Sequence, residues 1–270
     1  MLDIMQSTDT SNLSYAAQLF LWKKRTLYIG KFKEPLNLSL GAATLSVSLG
    51  KPFSFMIKGM SKPIYSKSLI IPAGVAITLD TNNSLVANCH LDALGRDFFY
   101  LHAQAQKSSG KLSYDLSHEA ELVKGFTHIF TTQKNSQEAF DYVESILINM
   151  SAPPMPAAPV DPRIEKVIEL IQETVKDAIT GEALAESVNL SIPRLAQLFK
   201  KQTGIPIRRY RLWHRLYLTA QNVGEGKNLT EAAIDAGFTD SPHFAHTFRA
   251  MMGMTPSCIL SHVNKTRVTL

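Results

Sequence analysis

The feature that most constrains the fold of this chain is a helix-turn-helix pattern that occurs twice in its C-terminal part. In the first copy, a short helix over 182–188 and a tight connector at 189–190 precede a second helix that begins at Ser191. Ser191 is a favourable N-cap, Pro193 fits a first turn where the missing N–H costs little, and Gly204 can end the helix in the left-handed conformation. Two short helices joined by about three residues form a helix-turn-helix.

The second copy repeats this arrangement. A short helix over 230–236 is followed by a further helix that Asp240 or Ser241 can cap and that continues through Phe248. Phe248 is equivalent to Phe199 in the first copy, because each is followed by a basic residue and then by a short segment that ends at a glycine. The two copies lie about 50 residues apart and form an internal repeat.

A longer helix over 206–224 is predicted between the two copies. About 18 residues at about 1.5 Å each give a length of roughly 27 Å. This length is near the roughly 34 Å that separates successive major-groove faces of duplex DNA. A spacer of this kind would let one chain enter two adjacent segments of the major groove.

The stretch 194–215 is strongly basic and contains no acidic residue. Its cations are Arg194, Lys200, Lys201, Arg208, Arg209, Arg211 and Arg215. One interpretation of such a run is a helix face that is merely solvated. We favour a phosphate-binding surface, because the run coincides with the first helix-turn-helix and the linker helix.

Residues 185–256 resemble the AraC/XylS family of bacterial transcription regulators. The matching residues are Leu184, Ala185, Leu190, Ser191, Leu195, Leu198, Phe199, Lys200, Thr203, Gly204, Tyr210, Arg215, Leu216, Ala220, Ala232, Ala233, Ala236, Gly237, Phe238, Phe244, Phe248, Arg249, Gly253, Thr255 and Pro256. The resemblance implies an all-α domain over 161–264 with two helix-turn-helix units and a linker helix. It also implies double-stranded DNA and RNA polymerase as partners.

The first 150 residues have a different sequence pattern, in which short β-rich runs are separated by turn residues. The predicted strands cover 27–32, 36–40, 43–49, 53–57, 64–71, 75–80 and 84–89. Strands at spacings of about ten residues are typical of a barrel or sandwich. The segment 68–75 resembles the strand-turn-strand of the cupin-like sensor domains in this family. We therefore predict an α+β protein of two domains, with an N-terminal cupin-like β-barrel that ends in helices (1–150), a Pro-rich linker (151–160) and the all-α domain.

Residues 117–150 are predicted to be helical, and one helix face carries an apolar stripe. The stripe consists of Phe140, Val143, Leu147 and Met150. It can pack on the barrel of its own chain or against a second helix across a two-fold dimer. The family resemblance favours the dimer, so we predict a homodimer through this face.

The second helix of each unit is predicted to contact bases. Arg194 and Gln197 are neighbours at three-residue spacing, and these two residue types pair with guanine and adenine in the major groove. The predicted base contacts are Pro193, Arg194, Gln197, Ser241, His243 and His246. The predicted phosphate contacts are Lys200, Lys201, Arg208, Arg209, Arg211, Thr247 and Arg249, while Arg215 is either structural or a phosphate contact.

We predict a sequence-specific transcriptional regulator, with activation favoured over repression, that a small effector of hydrophobic or mixed character controls from the N-terminal domain. Candidate lining residues for the effector are Phe53, Phe55, Ile57, Ile71, Val75 and Ile77. Two alternatives stay open: a cupin-type enzyme fused to a DNA-binding domain, and a regulator that responds to a protein partner and not to an effector.

Several features bear on the enzyme alternative and on the compartment. Histidines at 90 and 102 lack the His-x-His spacing that metal-binding cupins usually have, and the two cysteines are in separate parts of the chain. We therefore predict no metal, no cofactor and no enzymatic activity. The sequence has no run of about 18 apolar residues and no N-terminal signal pattern, so a cytoplasmic protein without membrane association is expected.

Overall fold

A computed structural model describes residues 17–22, 25–32, 34–91, 97–132, 134–149, 160–175, 179–252, 256 and 267–269 of the 270-residue chain. The strands are β1 (Gln18–Leu21), β2 (Thr26–Lys31), β3 (Leu36–Ser39), β4 (Thr44–Ser48), β5 (Phe53–Ile57), β6 (Ile64–Ser66), β7 (Ser68–Ile71), β8 (Ala76–Asp80), β9 (Leu85–His90), β10 (Ala105–Ser109), β11 (Leu112–Leu116) and β12 (Arg267–Thr269). The helices are α1 (Asp97–Ala103), α2 (Glu119–Thr132), α3 (Ser136–Asn149), α4 (Pro162–Glu173), α5 (Gly181–Ser187), α6 (Ile192–Thr203), α7 (Ile207–Gly224), α8 (Leu229–Asp235) and α9 (Ser241–Met252).

In its described residues, the N-terminal domain consists of two sheets and three helices, and β12 from the C-terminal end of the chain joins the larger sheet. The larger sheet has the strand order β10-β11-β7-β4-β9-β2-β1-β12, and the smaller sheet has the order β3-β8-β5-β6. The strand pairs are antiparallel, except that β12 runs parallel to β1. The predicted α+β architecture of a β-rich domain followed by an all-α domain is therefore confirmed.

The central strands of the larger sheet, β4, β7 and β9, are buried on both faces. Alternate residues of β7 point to opposite sides, so that Ile70 packs toward the helices while Leu69 and Ile71 pack toward the smaller sheet. A strand buried on both sides needs apolar residues on both, which is why β7 appears in the sequence as a continuous apolar run rather than an alternating one.

Helices α2 and α3 cover the outer face of the larger sheet. Val143 is completely buried and Leu147 is 4% exposed, and both belong to the core cluster of that sheet. Phe140 lies edge-on to the ring of Trp22 with centroids 5.4 Å apart. Three members of the predicted dimer stripe thus contact their own domain, while Met150 lies outside the described residues. The buried members have no surface free to contact a second chain. A dimer through this face stays a prediction, and its contacts would have to come from exposed residues beside the stripe.

The all-α domain contains two cores. Helices α4, α5 and α6 enclose a cluster that includes Leu195 and Phe199, and helices α7, α8 and α9 enclose a second cluster around Phe238 and Phe244. Gly204 adopts a left-handed conformation (φ 79°) and ends α6, as predicted. Gly237 is also left-handed (φ 89°), and a Cβ there would lie 3.0 Å from the carbonyl oxygen of Val175, so a glycine is required at this turn.

The predicted Pro-rich linker at 151–160 is described only at its last residue, so this prediction falls almost entirely outside the described residues. Among the helices that the structure describes, none is both long and apolar enough to cross a membrane.

Candidate nucleic-acid interface and inter-domain cavity

Most helices of the two helix-turn-helix units begin with a polar cap, but at α6 Ser191 occupies the predicted N-cap position without a side-chain hydrogen bond. Thr180 Oγ1 accepts the backbone N–H of Ala183 at the start of α5, and Asn228 Oδ1 accepts that of Glu231 at the start of α8. The second helix of the second unit is capped by Asp240, whose Oδ1 accepts the His243 N–H at 2.6 Å. Asp240, not Ser241, is therefore the cap.

The first turns of α6 present a polar and exposed surface. Pro193, Arg194 and Gln197 are all exposed, and Arg194 Nη1 donates a hydrogen bond to Gln197 Oε1 at 2.8 Å. This contact brings together the two side chains that the sequence predicted as a pair of base contacts. Lys200 and Lys201 are also exposed, in the last turn of the same helix.

The corresponding surface of α9 is more restricted. His246 and Arg249 are exposed, while Ser241 is half-buried. His243 is half-buried as well, with its ring edge-on to Phe238 and its Nδ1 3.1 Å from Thr239 Oγ1. The second unit therefore presents fewer free side chains than the first in the arrangement described.

The structure corrects one predicted phosphate contact. Thr247 is only 5% exposed, because it lies on the face of α9 that points into the protein, so it offers no hydroxyl to a phosphate in this arrangement.

The basic residues of α7 are divided between different environments. Arg208 is exposed. The Arg209 guanidinium instead donates hydrogen bonds to the carbonyl and hydroxyl oxygens of Ser39 in the N-terminal domain, the latter at 3.0 Å, and its burial lowers its pKa from the ordinary value. Arg211 donates to the carbonyl oxygen of Ile179. Arg215 is half-buried beside Gly237. Arg209 and Arg211, predicted to contact phosphates, are thus engaged within the protein.

The two domains are in direct contact along α7. The rings of Trp213 and His90 are edge-to-face with centroids 4.9 Å apart. A Cβ on Gly41 would lie 3.3 Å from the Trp213 ring and would overlap Cε of Met251, so the backbone of the N-terminal domain lies directly against the all-α domain. The short strand β12 adds to β1 at the edge of the larger sheet. These contacts were not predicted, because no local sequence pattern encodes which surfaces of two domains meet.

A cavity of about 390 Å³ lies between the domains. Its lining comes from the N-terminal domain, α4 and α7: Trp22, Arg25, Thr26, Gly41, Ala42, His90, Leu91, Val160, Glu165, Ile168, Glu169, Gln172, Ile205, Tyr210, Trp213, His214 and Tyr217. The volume is in the range of small-molecule sites, and the mixture of rings with a few polar groups is typical of them.

Two buried polar groups form part of the cavity wall. Burial lowers the pKa of His90 to about 4, so its imidazole is neutral near pH 7, and its Nδ1 shares a 2.7 Å hydrogen bond with Thr44 Oγ1. Arg25 is ion-paired with Asp97 and Glu144 at 2.8 and 3.0 Å. Burial alone would lower the pKa of Arg25, but these carboxylates outweigh it and the pKa is raised.

The residues predicted to line an effector site lie elsewhere. Phe53, Phe55, Ile71 and Ile77 are buried in the core between the two sheets, and Ile57 and Val75 pack against that core. The lining of this barrel site stays a prediction, whereas the 390 Å³ cavity lies at the domain boundary. In the described residues, no group of three or more His, Cys, Asp or Glu is placed to hold a metal ion.

Comparison with known proteins identifies the all-α domain. A family model described as a helix-turn-helix domain matches residues 184–261. The chain is 32% identical over 105 residues to XylDLEGF operon transcriptional activator 2 of Pseudomonas putida, covering 37% of this chain and 67% of that protein. It is 30% identical over 97 residues to the HTH-type transcriptional activator RhaS of Escherichia fergusonii, covering 36% of this chain but only 35% of that protein.

Solved structures match the whole arrangement of the two domains. An apo ToxT variant from Vibrio cholerae superposes with a TM-score of 0.62 at 11% identity, over 90% of this chain and 99% of the other. ToxT from the same organism with a bound unsaturated fatty acid gives a TM-score of 0.56 at 11% identity, over 89% and 96%. At this identity the likeness concerns the fold alone.

Proposed function

Because the chain belongs to the AraC/XylS family of transcription regulators, we propose that it binds a specific sequence in double-stranded DNA and regulates transcription under the control of a small molecule. Activation is favoured over repression, since the relatives at 32% and 30% identity are named transcriptional activators.

The observation that carries this proposal is the exposed pair of Arg194 and Gln197 on the first turns of α6. The hydrogen bond between them orients the guanidinium before DNA arrives, which reduces the side-chain freedom that binding would otherwise remove. An arginine in this position can donate two hydrogen bonds to the N7 and O6 atoms of guanine. The exposed Lys200, Lys201 and Arg208 flank the pair and supply attraction to phosphates on either side.

Both units are proposed to enter the major groove of one duplex. Helix α7, with 18 residues and thus a length of about 27 Å, separates them by close to one helical turn of DNA. His246 and Arg249 would contact DNA in the second unit. Because His243 is held by its own turn, we expect the second unit to contribute less to sequence choice than the first.

The experiment begins with selection of a binding site from random duplexes by the full-length protein. Arg194→Ala is expected to weaken binding to the selected site by about 1–3 kcal/mol, roughly 5- to 150-fold, and to relax the preference at one base pair. Lys58→Ala removes one exposed cation from the N-terminal domain and serves as the matched control, with little change expected. If Arg194→Ala and the wild type bound the selected site with equal affinity, Arg194 of α6 would not contact its bases.

Control by a small molecule is supported by the way the domains meet. The cavity is lined by both domains, so a ligand in it would contact the N-terminal domain and α7 at the same time. Arg209, a basic residue of the linker helix, donates a hydrogen bond to Ser39 of the N-terminal domain and is therefore not available to DNA in this arrangement. A ligand that changes the spacing between the domains would therefore change both the position of α7 and the availability of this cation.

We further propose that the protein acts as a homodimer in the cytoplasm, contacts RNA polymerase at its promoters and has no enzymatic activity of its own. The apolar stripe of α3 supports the dimer only through its less buried members, such as Phe140.

A further inference from the structure

The cavity between the domains has a charge distribution that bears on the chemistry of its ligand. Among the described residues that line it, Arg25 is the one arginine or lysine. All three nitrogens of this guanidinium contact carboxylates: Nε and Nη2 lie 2.8 Å from Asp97 Oδ2, and Nη1 lies 3.0 Å from Glu144 Oε1. The side chain is only 9% exposed. Arg25 therefore belongs to a closed ion-pair network and is not a free binding site for a carboxylate or phosphate ligand.

Apart from the histidines at 90 and 214, the remaining charged residues of the lining are acidic. Glu165 and Glu169 are one turn apart on α4, and both are exposed side chains that line the cavity. Neither takes part in an ion pair within the described part of the chain. The neighbouring histidine at 90 adds no positive charge near neutral pH, because its burial holds its pKa at about 4. Among the described residues, four carboxylates therefore lie in or beside the cavity against one guanidinium, which disfavours an anionic ligand.

Tryptophan and tyrosine rings supply four of the large side chains of the lining. Trp22 comes from the N-terminal domain, whereas Trp213 and Tyr217 come from α7. The Trp22 indole is fixed by hydrogen bonds from its Nε1 to the backbone and hydroxyl oxygens of Ser136, at 3.1 and 3.0 Å. The π-faces of tryptophan and tyrosine attract organic cations, and this attraction is stronger where water is excluded.

From these observations we infer that the cavity binds an organic cation, either a substituted amine or a quaternary ammonium compound. Its charged group would lie against the aromatic rings, near the carboxylates of Glu165 and Glu169, and its apolar part would contact residues such as Ile168 and Leu91. This assignment rests on the proposed function, since it names the class of effector that would enter the cavity. It narrows the hydrophobic or mixed effector that the sequence suggested to a cationic one, and it departs from the unsaturated fatty acid bound in one ToxT structure.

The test uses a matched set of small probes on the full-length protein. Choline carries a trimethylammonium group, 3,3-dimethylbutan-1-ol has the same shape without the charge, and hexanoate is an anion of similar length. Binding is followed by isothermal titration calorimetry. We expect choline to bind at least tenfold more tightly than the neutral alcohol, and hexanoate to bind more weakly than either.

Variants then test which residues recognise the charge. Glu165→Gln combined with Glu169→Gln is expected to reduce the choline preference about tenfold, while Glu173→Gln, an exposed site on the same helix, serves as the matched control and leaves it unchanged. Trp213→Leu is expected to reduce choline binding more than binding of the neutral alcohol. Equal binding of the alcohol and choline, no binding of choline, or preference for hexanoate would overturn the inference.

Measurement of operator binding by fluorescence anisotropy separates this inference from the proposed function. If hexanoate or an unsaturated fatty acid binds and changes operator affinity while choline does not, then the effector mechanism stands and the cation assignment fails. If the protein does not bind a selected duplex at moderate salt, the regulator proposal itself fails. A choline-dependent change in operator affinity that the Glu165 and Glu169 substitutions remove would support both.

Discussion

Burial of His90 makes the N-terminal domain sensitive to acid. The residue is 4% exposed, at the end of β9, and burial lowers its pKa from 6.5 to about 4. The folded protein therefore favours the neutral imidazole. The stability that depends on this neutral form is fully present above the unfolded pKa and is lost as the pH falls from about 6.5 toward 4. Each unit of difference corresponds to 1.36 kcal/mol, so the full loss is about 3 kcal/mol and the loss between pH 7 and pH 5 is about 2 kcal/mol.

Hydrogen exchange can measure this loss at the site itself. Unfolding of a two-domain chain need not be two-state, so we would follow the opening free energy of amides in β4 and β9, corrected for the intrinsic pH dependence of exchange. His90→Gln retains a partner for Thr44 but does not titrate, and is expected to lose about 2 kcal/mol less than the wild type between pH 7 and pH 5. His118→Gln, at an exposed site, is the matched control. The reasoning is refuted if wild type and His90→Gln lose equal stability over this range.

Two further predictions concern cations that the sequence alone could not tell apart. Lys201→Ala, which removes an exposed cation of α6, is expected to weaken binding to all duplexes alike and to lower the slope of log affinity against log salt by about 1, as salt titrations of selected and random duplexes would show. Arg209→Ala is expected to strengthen operator binding by the ligand-free protein, because it removes a charged hydrogen bond worth about 1.5–3 kcal/mol that holds α7 against Ser39. Anisotropy titrations decide this case, and a loss of affinity equal to that of Lys201→Ala would instead make Arg209 a phosphate contact.

The all-α domain was predictable because its signals are local. The cap at Asp240, the glycines at 204 and 237 and the apolar spacing each act within a few residues of the helix end that they define. The predicted helix over 206–224 begins one residue later in the structure, at Ile207. Where local signals are this strong, the ends of the helices depend little on tertiary packing.

The predicted single strand over 64–71 is two strands in the structure. The chain changes sheet at Lys67, with β6 in the smaller sheet and β7 in the larger one. Ser66 Oγ accepts the N–H of Ser68 and donates to its carbonyl oxygen, and these local bonds turn the chain between the strands. An uninterrupted β-rich run does not reveal such a change of sheet.

Other strands were missed for a different reason. The strand β10 consists of Ala105–Ser109 and is largely exposed, without apolar alternation, so only its pairing with β11 defines it. The strand β12 is defined by pairing with β1, at the opposite end of the chain. The cavity could not be predicted either, because its lining joins residues that are as far apart as Trp22 and Tyr217.

Helix α7 joins the two halves of the proposed mechanism. Tyr210 packs with the core of the first helix-turn-helix and Leu216 with that of the second, so any rotation of α7 is transmitted to both units. Tyr210 also lines the cavity, together with Trp213 and Tyr217 of the same helix. A ligand that displaces Trp213 therefore acts on the spacer between the two DNA-contacting helices and not on one of them alone. For this reason we expect effector binding to change affinity for a complete operator more than affinity for an isolated half of it.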